Sequence, residues 1–369
     1  MFSLKPLVEL QVHRSLSEYI TALGWSPVGN RLAIASGAGE VVLWQDFKET
    51  VLQTASDASI DALGFSGEGQ WLAAAGQAGA VTLWWLSADS PERVETLTWG
   101  SVWIDRLQWH PHQPWLAYNC GKAVHIWDAD QGEALAILEL PATVQDLGWS
   151  PDGTHLAVSA QKQVYIWETS RWISHQYEWE LMAASRVLKW SPEGAYLASA
   201  NQDHSVGVLT WSNVRALKQF PNKSGDLPAL LAGLPGKIRQ LAWADVPDAE
   251  RSPILATTTQ NLVVMWILIP EEGWQSYVLN LHQDTVLDVA FHPQTGLLAS
   301  LSEDGWILLW QAAVEPVQLL EGAQGGFSCL TWHPTGEYLA AGGQQGEVLV
   351  WALCPDARQR LLSQLGALL

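Results

Sequence analysis

The chain has 369 residues, 48% of them hydrophobic and 15% charged, enough apolar material for a large core. Its 38 acidic residues outnumber 19 basic ones, giving a formal net charge of -19; a field of that sign repels nucleic-acid phosphates and anionic membrane surfaces and leaves basic proteins or peptides open as partners. Cys120, Cys329 and Cys354 are odd in number and far apart, which predicts reduced thiols rather than a disulfide framework or a zinc site.

The first segment, "MFSLKPLVELQVHRS", lacks the unbroken apolar core of a signal peptide, and no run of eighteen apolar residues follows anywhere. A soluble, cytoplasmic protein is predicted, and its plain acidic composition without eukaryotic-style extensions points to a bacterial source. Within "LVELQVH", Val8, Leu10 and Val12 alternate with Glu9, Gln11 and His13, as in a strand that covers a sheet edge.

From residue 20 onward one pattern repeats. Aromatic anchors stand at Trp25, Phe65, Trp109, Trp149, Trp190, Trp243, Phe291 and Trp332, each closing a short strand such as "ITALGW" or "VQDLGW". A tight turn follows, "SPVG", "SPDG" or "HPTG", with Pro where φ near −65° is needed. Next come a small-residue strand such as "LAVSA" and a β-branched strand ending in a second anchor: Trp44, Trp84, Trp127, Trp167, Trp211, Trp266, Trp310 and Trp351. Successive end anchors are 40, 43, 40, 44, 55, 44 and 41 residues apart. Short strands at that period predict an all-β fold, a single β-propeller of four-stranded blades, because a sheet with two apolar faces must stack on its like. Eight copies predict eight blades, with the N-terminal strand completing the last one; seven blades with one displaced copy is the alternative.

Residues 212–237 lengthen the connection after blade 5, and residues 244–253 lengthen the first turn of blade 6. The tail "PDARQRLLSQLGALL" spaces Leu361, Leu362, Leu365 and Leu368 like one helical face, so the predicted division is a propeller over 1–354 and a helical tail over 355–369.

These repeats resemble the WD-repeat family, over about residues 7 to 352. The resemblance is fullest in "LHQDTVLDVAFHPQTGLLASLSEDGWILLW", where it implies a hydrogen-bonded structural tetrad of His282, Ser300, Asp304 and Trp310. Elsewhere the family's Gly-His pair is missing and Asp follows the end Trp only at Asp128.

Few residues suggest chemistry. His110 and His112 are two apart, but His292 and His333 occupy the turn position of His110 in other copies, which makes it a turn residue. Asp61 and Asp105 lie four residues before their anchors and Asp146 and Asp288 three before theirs, so alternation sends them to different sides of their strands. No catalytic residue, metal site or cofactor is implied. The expected function is a non-catalytic protein-interaction scaffold or assembly factor, a monomeric ring or a member of a hetero-complex. The candidate partner contacts are Tyr19, Trp85, Trp99, Trp103, Asn222, Lys223, Asp226 and Asp284, chosen because tryptophans beyond the packing anchors and long loops favour interfaces. Alternatives are a propeller hydrolase of lactonase or esterase type with a channel metal, and a peptide reader with an aromatic cage.

Overall fold

The computed structural model describes residues 5–46, 48–86, 90–211, 228–245, 252–311 and 315–365, with side chains as far as residue 361. The chain forms eight four-stranded antiparallel sheets, the blades of a propeller, and one C-terminal helix, Pro355–Leu365. By contacts it divides into two compact units, Met1–Trp25 with Ile238–Leu369, and Ser26–Lys237.

In each blade the aromatic-ended strand is innermost, and successive strands of the chain step outward. Up-and-down pairing fixes two faces. Within each unit, the connections running into the inner strands and the turns between second and third strands lie on one face, the upper one, and the first turn of each blade and the turn between third and fourth strands on the other, the lower one.

The end tryptophans obey one register. Trp44 faces Leu32, Trp84 Leu72, Trp127 Leu116, Trp167 Leu156, Trp266 Leu255, Trp310 Leu298 and Trp351 Leu339. Blade 5 departs from the sequence reading, because Leu209, not Trp211, faces Leu197. Trp211 lies two residues further on, buried against His155, Tyr177 and Trp190. The third strand of this blade carries Gly207, against which the buried Trp179 packs so closely that a Cβ there would lie 2.8 Å from its ring. Indole volume therefore reaches blade 5 from Trp179 and Trp211 rather than from its register position.

In the first unit, Val8–Ser15 pairs with Glu347–Leu353 as the outermost strand of the last blade, in the place expected of it. Its burial does not follow the simple alternation. A register shift between Leu10 and Val12 leaves Leu7 and Val8 buried, Val12 half-buried and Leu10 49% exposed. The Gln318 side chain clamps the start of this strand, accepting from the amides of Leu7 (2.6 Å) and Val8 (3.1 Å) and donating to the Val8 carbonyl (2.8 Å). The helix is docked, not free: Ala357 and Leu361 join the core of the last blades, and Arg358 and Arg360 donate to Gln294 and the Pro6 carbonyl.

Blades are also pinned through their first turns. His110 donates from Nε2 to the Gly153 carbonyl of the next blade (2.9 Å) and accepts at Nδ1 from the amides of His112 and Gln113. His292 does the same to Gly336 (3.1 Å), accepting from the Gln294 amide. Both acceptor glycines have positive φ, and a Cβ on either would collide with the histidine ring.

Candidate functional site

The upper face of the second unit is built around one tryptophan. The connection into blade 3 leaves the outer strand Pro91–Thr98 and is tied to the blade 2 turn beside it: Trp99 N–H donates to the Gly79 carbonyl (2.8 Å) and Ile104 N–H to that of Gly76 (3.2 Å). Ile104 is fully buried below. Between these two anchors Trp103 stands 53% exposed, and its Nε1–H donates to Asp61 Oδ2 at 2.8 Å. Ser59 Oγ donates to the same carboxylate at 2.9 Å. With the indole N–H already satisfied, the ring face is what remains to offer a partner.

Towards the axis, the four acids of the inner strands have separate duties. Asp61 occupies the second position of its strand, at a register shift, and Asp105 lies two residues before the short strand Leu107–Trp109; both bind locally, Asp61 as above and Asp105 to the Asn119 amide (2.9 Å) and Arg106 (3.1 Å). Asp146 and Asp288 reach across to the next blade, accepting from the amides of Leu188 (2.8 Å) and Leu330 (3.0 Å). Burial pushes the Asp146 carboxyl up, against the opposing pull of Arg106, whose Nε lies 3.4 Å away, and of Lys189. Among the described residues no group of three or more His, Cys, Asp or Glu is arranged to hold a metal ion. His110 has both ring nitrogens engaged, Nδ1 in its own turn and Nε2 on Gly153 of the next blade.

The other candidates fall into several settings. Trp99 donates to the Tyr118 hydroxyl (3.1 Å) and packs 4.2 Å from the His125 ring, as part of the blade 3 interior. Trp85 faces Trp71 across its sheet, ring centroids 5.0 Å apart. Neither presents the open face that Trp103 does. In the first unit, Tyr19 is 44% exposed just before the blade 1 inner strand, and exposed Asp284 caps the Thr285 amide (2.6 Å) in the connection into blade 7. Asn222, Lys223 and Asp226 lie outside the described residues. Met182, 75% exposed in the connection into blade 5, was not among the candidates; a long apolar side chain beside Ala183 and Ala184 was the available signal.

Beside Asp284, His282, Ser300, Asp304 and Trp310 form one chain. Asp304 accepts from His282 Nδ1 (3.0 Å), and His282 Nε2 then accepts from Ser300 Oγ (2.8 Å), which in turn accepts from the Trp310 indole (2.8 Å). A carboxylate only accepts, which fixes this tautomer. Burial lowers the His282 pKa, with Asp304 opposing.

Comparison with known proteins agrees with this architecture. The profile described as "WD domain, G-beta repeat" matches residues 133–168, 273–311 and 314–352, which contain the three inner strands of blades 4, 7 and 8. Protein HIR1 of Cryptococcus neoformans is 27% identical over 168 residues, 40% of this chain and 18% of that protein. Ribosome biogenesis protein ERB1 of Malassezia globosa is 26% identical over 138 residues, 33% of this chain and 16% of that protein. The matches thus span less than a fifth of these curated relatives. The crystal structure of Sqt1 from Chaetomium thermophilum superposes with a TM-score of 0.76 at 15% identity, over 94% of this chain and 100% of that one, which establishes a shared fold.

Proposed function

We propose that the chain is a non-catalytic docking scaffold of WD-repeat type, a propeller over residues 1–354 with a helical tail, that holds a protein partner on its upper face. The observation that carries this reading is Trp103, an indole kept half in solvent on a loop tied down at both ends and oriented by Asp61. Ordering such a ring in advance removes entropy that binding would otherwise cost, the usual property of an interface hot spot. In the second unit, Met182 and the segment around Asn222, Lys223 and Asp226 are proposed as further contacts, with Trp99 packed beneath the Trp103 loop, whereas Trp85, which pairs with Trp71 at the lower end of blade 2, is not part of this face; Tyr19 and Asp284 are proposed as contacts on the first unit. The net charge of -19 favours a basic partner over nucleic acid or an anionic membrane.

That one matched relative is named for ribosome biogenesis fits an assembly role. No helix among the described residues is long and apolar enough to cross a membrane. The expected bacterial source and cytoplasmic location draw no support from the matches, whose named sources are fungal.

The test is quantitative affinity purification from the native source with Trp103→Ala and Trp103→Phe beside wild type. Trp103→Ala should weaken the retained partner by about 2 kcal/mol or more, roughly thirtyfold, at an unchanged melting temperature, and Trp103→Phe by less. Loss of the fold in Trp103→Ala, or undiminished partner recovery, would remove the proposal. Metal analysis of the purified protein separates it from the hydrolase alternative.

A further inference from the structure

The lower face of the second unit contains a cavity of about 280 Å³ that the docking surface above does not use. It opens between the first turns of blades 2 and 3 and the last turn of blade 3, lined among others by Ser66, Glu68, Trp71, His112, Gln113 and Asp130. Its walls are braced from behind. Ser66 Oγ accepts from the Trp71 amide (3.0 Å), the Trp71 indole donates to Asp130 Oδ1 (2.8 Å), and Asp128 Oδ1 accepts from the amides of Asp130 and Gln131 (3.0 Å each). On the facing wall His110 Nδ1 holds the amides of His112 (3.1 Å) and Gln113 (2.9 Å).

The chemistry of this preformed space is one-sided. Among the described residues no Lys or Arg lines it, the Glu68 carboxylate makes no hydrogen bond or ion pair, and Asp130 uses only Oδ1 for the indole. Among the described residues Glu68, His112 and Asp130 form no three-ligand metal group; Glu68 comes from the first turn of blade 2 and Asp130 from the last turn of blade 3, so the two exposed carboxylates approach the cavity from different blades. Its volume falls just below that of small-ligand pockets, roughly 300–1,000 Å³, the scale of one long side chain. A compact ammonium needs acceptors brought to one point; a planar guanidinium carries five N–H donors splayed outward, and matches separated carboxylates and an amide oxygen.

We propose that the cavity framed by Glu68, Trp71, Gln113 and Asp130 on the lower face binds the guanidinium of an arginine side chain presented by a protein partner. Asp130 and Glu68 supply charge-assisted acceptors, and the buried Trp71 fixes Asp130 in place. This site is independent of the upper face.

The probe is N-acetyl-arginine amide, titrated at low salt into the full chain and followed by saturation-transfer NMR, with the citrulline and lysine analogues alongside. Saturable binding is expected for arginine, about tenfold weaker or worse in Glu68→Gln and in Asp130→Asn, as expected for loss of a charged hydrogen bond, and weaker for lysine and citrulline. Trp103→Ala should leave it unchanged. Glu68 has no partner to lose among the described residues, and Asp130→Asn keeps an oxygen that accepts from Trp71, so both variants should keep the wild-type melting temperature. Arginine that fails to saturate, equal affinity for citrulline or lysine, or indifference to both carboxylate variants would each overturn the assignment.

Discussion

Trp44 is a buried indole whose N–H finds no hydrogen-bond partner, the one such side-chain atom among the described residues. One position contributes. Ser300 and Thr257 stand opposite the residue two before Trp310 and Trp266, and their hydroxyls accept from those indoles at 2.8 and 3.2 Å. In blade 1 that position is Ile34, which has no acceptor to give. Trp44→Phe should therefore be less destabilising than Trp310→Phe by about 1–2 kcal/mol in urea titrations, since only the former removes an orphan donor. His292 offers a second test. Burial holds its pKa down to about 4, and its Nδ1 must stay unprotonated to accept from Gln294. With the folded pKa below the ordinary 6.5, the contribution is complete above pH 6.5 and is lost as pH falls towards 4, amounting to about 3 kcal/mol. Urea midpoints measured across that window should fall more steeply for wild type than for His292→Gln.

At the scale of single strands, the N-terminal one shows how far alternation carries. Its place beside the last blade follows from strand counting, since eight repeats of three strands leave one outer position open. Its burial does not, because the register shift after Leu10 is set by the partner strand Glu347–Leu353. Two fully buried residues and one half-buried residue, at roughly 1.5–3 kcal/mol per fully buried side chain, imply a loss of about 3–6 kcal/mol on removing residues 1–14. A thermal melt would read this, and an unchanged melting temperature would count against it. Gln318→Ala should cost less, about 1–3 kcal/mol, by stripping acceptor and donor from the Leu7–Val8 backbone. Blade 5 differs from what spacing predicts for a related reason. Spacing from a preceding Trp marked Trp211 as the anchor, but register is decided by the facing strand, where Leu197 meets Leu209.

Across the whole molecule, periodicity made the architecture legible because every blade repeats the same packing problem. The binding surface was much less so. Trp103 was visible in the sequence as a tryptophan outside the anchor positions, but its orienting carboxylate, Asp61, lies in the preceding blade and looked like an axial acid. The lower cavity left no trace in the sequence, because its lining joins the turns of two blades. If the upper-face partner is basic, its association rate should drop several-fold between about 50 and 500 mM salt, as long-range attraction is screened, with little change in dissociation. Stopped-flow measurement would check this.

The pairing of His110 with Gly153 and of His292 with Gly336 limits how such a chain can be rearranged. Repeats look interchangeable, yet blades 3 and 7, with His110 and His292 in their first turns, each require a follower with a bare α-carbon at the matching spot. When repeats are shuffled or transplanted, these two would have to travel with their followers, as blade 3 with blade 4 and blade 7 with blade 8.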